Sequence, residues 1–128
     1  IINDESARDF QFLTTQWMAG KIADTHAPEG PYIADRTEIP DPHVLDLKLW
    51  VNGKQMQTGT TRTFIFDVRY LVSYLSGIIT LSPGDLIATG TPPGVGFARK
   101  PPVFLQPGDT CRLEIIGLGT LENSVKDA

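Results

Sequence analysis

Hydrophobic and polar positions divide this chain into short, differently patterned pieces. With residues placed about 100° apart, Phe10, Leu13 and Trp17 fall within one arc, which predicts a helix from Ser6 to Met18 with that stripe buried. Ser6 is placed as its N-cap with Asp9 three residues on, close to a capping box, and Gly20 is expected to close it. The same wheel gathers Asp4, Arg8 and Gln11 on the side away from the stripe. A connection rich in Pro28, Gly30, Pro31, Pro40 and Pro42 follows, within which Tyr32 to Ala34 reads as a short strand. Leu45, Leu47, Leu49 and Val51 then alternate with Asp46, Lys48, Trp50 and Asn52, the period of a half-buried ribbon. Asn52-Gly53 suits a type I′ turn, so Lys54 to Thr58 should return antiparallel. A second helix is predicted from an Asp67 N-cap, with Val68, Leu71, Val72 and Leu75 on one face and Gly77 at its end. Beyond the turn at Ser82-Pro83-Gly84-Asp85, Leu86 to Thr89 reads as a short buried strand. Gly90 to Gly96 is a rigid loop, because Pro92 and Pro93 exclude a helix. After Gln106-Pro107-Gly108-Asp109, a strand carries Cys111, Leu113 and Ile115 on one face, and a last ribbon runs from Thr120 to Asn123. Short strands outnumber helices. The expected class is therefore α+β, mainly β, closing as a roll or barrel with two flanking helices.

Composition narrows the function more than the fold. The 128 residues suit one domain with a modest core. Lys+Arg 11 against Asp+Glu 15 gives a net charge of -4 without basic runs, which argues against a nucleic-acid binder. No apolar run approaches the ~20 residues needed to cross a bilayer. The single cysteine, Cys111, reads as a small core residue and fits a reducing, cytoplasmic setting. The sequence opens on Ile1 with neither initiator Met nor leader, so an N-terminally incomplete record of one catalytic domain is expected.

Few residues propose chemistry by themselves. The glycine-rich loop is no nucleotide cradle, since the prolines remove the helix whose N-terminus would bind phosphate. Its backbone N–H groups and the Thr91 hydroxyl could receive a carboxylate, or the loop is a plain connection. Asp4, with Glu5 and Asp9 nearby, offers oxygen ligands to a hard divalent ion, or a charge for a helix N-terminus. Lys21 is either a solvated lysine or a functional cation. His26 and His43 lack ligand or triad spacing, and His43 reads as a turn residue. No Gly-x-Ser-x-Gly elbow supports a serine hydrolase.

In combination these segments resemble the C-terminal catalytic region of the fumarylacetoacetate hydrolase family. The similar stretches are Asn3-Asp4-Glu5-Ser6-Ala7-Arg8-Asp9-Phe10-Gln11, Gly20-Lys21 with Asp24-Thr25 and Ala27-Pro28, and Ile39-Pro40-Asp41-Pro42. Leu49 to Gly53, Pro83 to Gly96 and Gly117 to Leu121 continue the match in order. The resemblance implies a mixed β-roll, commonly dimeric, binding Mg²⁺ or a similar ion such as Mn²⁺ or Ca²⁺. It implies action on β-diketo or 2-oxo acids as hydrolase, isomerase, tautomerase or decarboxylase through a metal-stabilised enolate. Residue by residue, it makes Asp4 a metal ligand and Lys21 a charge-stabilising catalytic group. Arg8 and Gln11 become neighbours of substrate or metal, and Thr91 the holder of the oxo-acid carboxylate. The family completes its metal site with a Glu-x-Glu pair upstream of the Asn-Asp segment, and hydrolytic members add a His/Glu pair on an upstream lid. No Glu-x-Glu occurs in this sequence. A non-catalytic fragment is the remaining alternative.

Overall fold

The computed structural model describes residues 1–127. Its regular elements are α1 (Arg8–Gln11), β1 (Asp46–Val51), β2 (Lys54–Thr60), α2 (Val68–Ser76), β3 (Thr110–Ile115) and β4 (Gly119–Ser124), with single 3₁₀ turns at Trp17–Gly20, Thr61–Thr63 and Gly96–Ala98. The strands form one antiparallel sheet in the order β2-β1-β3-β4. This is the α+β, mainly β architecture with two helices that the patterning predicts.

Local chemistry accounts for the parts that match. Asn52 and Gly53 adopt φ of 50° and 76°, both left-handed, which lets β1 turn directly into β2. Asp67 caps α2 by accepting from the Tyr70 N–H at 2.7 Å. Cys111 and Leu121 are buried on β3 and β4 and form the centre of the small core. Between Leu49 and Trp50 the β1–β2 register slips, so that Leu49 faces Gln57 while Trp50 faces Gln55. Met56 is the extra residue of this bulge.

Several local expectations fail. The first helix is a single turn, because Thr14 Oγ1 accepts from the Gln16 N–H at 3.0 Å and competes with the helical ladder. Ser6 does not cap it; Ala7 occupies that position without a side-chain bond. The stripe of Phe10, Leu13 and Trp17 is 54%, 71% and 60% exposed, since no described element packs on it. Tyr32 to Ala34 and Leu86 to Thr89 are not strands, because neither finds a neighbouring strand to pair with. Around the former, pairing among the described residues is limited to one bridge between Ile2 and Glu29. Among the described residues, no helix is long and apolar enough to cross a membrane.

Candidate active site

The segment around α1 folds back on itself through close backbone approach. The Ala7 N–H donates to the Gly20 carbonyl at 3.0 Å, and the Gln11 N–H to the Ala7 carbonyl at 2.9 Å. A Cβ on Gly20 would stand 2.6 Å from the Ala7 oxygen and from the Gln11 Cβ, closer than any side chain tolerates. Gly20 is therefore required for approach rather than as a left-handed helix stop. The approach delivers Lys21 onto Asp4, with Nζ 2.7 Å from Oδ1. Both remain accessible, Lys21 at 28% and Asp4 at 45% of the side chain.

Gln11, expected on the face away from the core, is among the most buried side chains at 2% exposure. It accepts from the Arg8 guanidinium through Oε1 and so holds Arg8 from beneath. Arg8 also lies over the Phe97 ring, 5.7 Å from its centroid. Asp4 and Arg8 open onto a cavity of about 360 Å³ whose lining also includes Met56, Gln57, Phe97 and Cys111. Asp4, Lys21, Arg8 and Gln11 are thus brought together. Thr91 is not among the cavity-lining residues, and joins the group through Gln57, which is.

Burial shapes the electrostatics of this wall. It raises Glu5 above the ordinary carboxylate range, an effect the neighbouring His26 partly opposes. The Glu5 carboxylate accepts from the buried Asn3 amide at 2.9 Å instead of joining Asp4. His26 Nδ1 is buried without a partner. The Cys111 thiol is pushed up to about 11, chiefly by burial and then by Glu5, which makes it a poor nucleophile.

A divalent ion suits this donor set only in part. Magnesium-like ions often take one or two carboxylates and complete their shell with water and substrate oxygens. Asp4 fits that role, with Oδ1 facing Lys21. Among the described residues, no group of three or more His, Cys, Asp or Glu could hold a metal ion. Glu5 and Asp9 therefore do not complete a site with Asp4.

Two contributors escape sequence reasoning. Gln57 donates through Nε2 to Thr91 Oγ1 at 2.8 Å and to the Pro92 carbonyl at 2.7 Å. Arg99 donates to the carbonyls of Met56 and Gly94. A polar side chain on a predicted strand gives no sign of which loop will cross it; only the proximity of the prolines and glycines, once folded, reveals the role.

Comparison with known proteins places this geometry. The chain superposes with a TM-score of 0.95 on a fumarylacetoacetate hydrolase from Exiguobacterium antarcticum, 42% identical, covering 99% of this chain and 46% of that one. For a 2-hydroxyhepta-2,4-diene-1,7-dioate isomerase from Mycobacterium marinum the TM-score is 0.86 and the identity 44%, covering 98% and 46%. A maleylpyruvate hydrolase from Sphingobium sp. SYK-6, in complex with manganese(II) and pyruvate, gives 0.75 and 40%, covering 84% and 38%. The chain spans about half the length of the curated relatives it matches, 46% and 44% for two of them. Residues 1–126 match the model of the fumarylacetoacetate hydrolase C-terminal domain, and the chain belongs to that family.

Proposed function

We propose that the longer protein represented by this chain is a divalent-metal-dependent hydrolase that cleaves a C–C bond in a β-diketo acid of the acylpyruvate, fumarylpyruvate or fumarylacetoacetate type. The observation that carries the reading is the 2.7 Å contact between Lys21 and Asp4 beside a cavity that Arg8 also lines. Asp4 is the ligand this chain offers to Mg²⁺ or Mn²⁺. A bound ion would supply Lewis-acid polarisation of the 2-oxo group.

The residues of this chain then do the following. Thr91 receives the substrate carboxylate on the glycine-rich loop, and Arg8, braced by Gln11, adds a cation beside the reacting end. As water adds to the distal carbonyl, its proton passes to a general base; the C–C bond then breaks, its electron pair moves to the carbon next to the 2-oxo group, and that carbon finally takes up a proton. The resulting enolate oxygen faces the Lys21 ammonium, which Asp4 holds in place before the reaction begins. Such a preorganised charge contributes ~2 to 4 kcal/mol.

Lys21→Ala in the full-length protein is expected to lower kcat by roughly 10²-fold while Mn²⁺ uptake, read by calorimetry, is retained. Unchanged turnover on the best acylpyruvate refutes the assignment. The isomerase neighbour supports a second reading, in which the same site isomerises or decarboxylates 2-oxo diacids and no water attacks. Product identification with an acylpyruvate and with oxaloacetate separates the two.

A further inference from the structure

The segment from Leu86 to Gly94 makes no backbone–backbone hydrogen bond among the described residues. Side chains of other elements hold it instead. Arg99 reaches both the Gly94 carbonyl, at 3.1 Å, and the Met56 carbonyl that the β2 bulge presents. A Cβ on Gly94 would collide with that same Met56 oxygen, and one on Gly59 would lie 2.6 Å from the Pro92 Cβ. The loop therefore lies flat on β2, and Gln57 stands at the centre of the contact.

The donor inventory fixes which way the Gln57 amide faces. The Pro92 carbonyl only accepts, so the group 2.7 Å from it must be the NH₂. The same nitrogen is 2.8 Å from Thr91 Oγ1 and donates its second hydrogen there. A hydroxyl that accepts on one lone pair keeps its own proton free for another acceptor. We propose that Gln57 is a positioning residue: it holds the Thr91 hydroxyl as a hydrogen-bond donor toward the carboxylate of a bound 2-oxo acid. This rests on the reading of Thr91 as the carboxylate holder given above. The bulge at Met56 serves the same end, because it re-aims the strand where Gln57 meets the loop.

Gln57→Glu replaces the donor by an acceptor. The Thr91 proton then turns toward the new carboxylate, and a second negative charge faces the substrate. In the full-length protein, the Kd for pyruvate and the KM for an acylpyruvate are expected to rise about 10-fold or more, with kcat within about 3-fold of wild type. Gln57→Met, which keeps length and removes the donor, should raise both about 5-fold. On a Thr91→Val background, Gln57→Met should change KM less than about 2-fold, since the two act as one unit. A purely structural role would lower kcat and the melting temperature together instead of splitting KM from kcat. Wild-type protein that fails to bind pyruvate overturns the proposed function, and this inference with it. Wild-type protein that binds pyruvate, with unchanged binding in Gln57→Glu or, should that variant not fold, in Gln57→Met, overturns this inference alone. Independent, multiplying effects of Gln57→Met and Thr91→Val overturn it as well.

Discussion

Glu5 and Cys111 share a wall of the cavity, and burial acts on both in the same direction. With its thiol near 11, Cys111 should resist iodoacetamide at about pH 8 in the native protein and react at once in denaturant; mass spectrometry reads the difference. For Glu5 the neutral carboxyl is the form the fold prefers, since its value lies above the ordinary 4.5. Its favourable contribution is complete below 4.5 and is lost as pH rises through the raised folded value. Glu5→Gln removes that loss and keeps an acceptor for Asn3. It should stabilise the protein at neutral pH and have no such effect near pH 3. Urea titrations with chelator at the two pH values check this.

Helix α2 shows how far neighbouring segments can close one element. Its first turn has two side-chain caps: Asp67 takes the Tyr70 N–H, and His43 Nε2 takes the Val68 N–H at 3.1 Å. With Nε2 accepting, Nδ1 carries the proton and donates to Asp41, 3.0 Å away. Asp67→Ala should cost about 1 kcal/mol in urea unfolding. Gly94→Ala, which forces a side chain into a φ of 112° and onto the Met56 oxygen, should instead weaken pyruvate binding by detaching the loop from β2. These elements also show what the sequence could convey. The Asn52-Gly53 hairpin and α2 were readable because turn chemistry and caps are local. The Phe10–Trp17 stripe and Leu86–Thr89 misled because hydrophobic period marks a face to be covered without saying what covers it. The run of family-like segments points to Asp4, Arg8, Gln11, Lys21 and Thr91, and Lys21 meets Asp4 because Gly20 permits the fold-back. Gln57 was silent, since its role depends on a loop 34 residues away in sequence.

The molecule as a whole presents more surface than its mass requires. A monomeric protein of 14.0 kDa exposes about 6,700 Å² by the usual scaling. This chain exposes 9333 Å², and large side chains such as Leu13, Ile33 and Ile65 are 71%, 90% and 90% open. Residues 1–128 expressed alone should therefore bind a hydrophobic dye strongly, whereas a polypeptide of the relatives' full length should bind much less. A different whole-molecule property follows from the tip of the first hairpin. Asn-Gly pairs age by deamidation, in which the glycine backbone nitrogen attacks the asparagine side-chain carbonyl carbon and ammonia leaves, so the side chain must swing onto that nitrogen. Here the Asn52 side chain is clamped, its oxygen taking the Thr110 N–H at 2.9 Å and its nitrogen held by Asp109 at 2.7 Å. So long as β3 stays docked, this notoriously perishable dipeptide should be chemically durable, and its conversion to isoaspartate becomes a clock that starts only when the sheet comes apart.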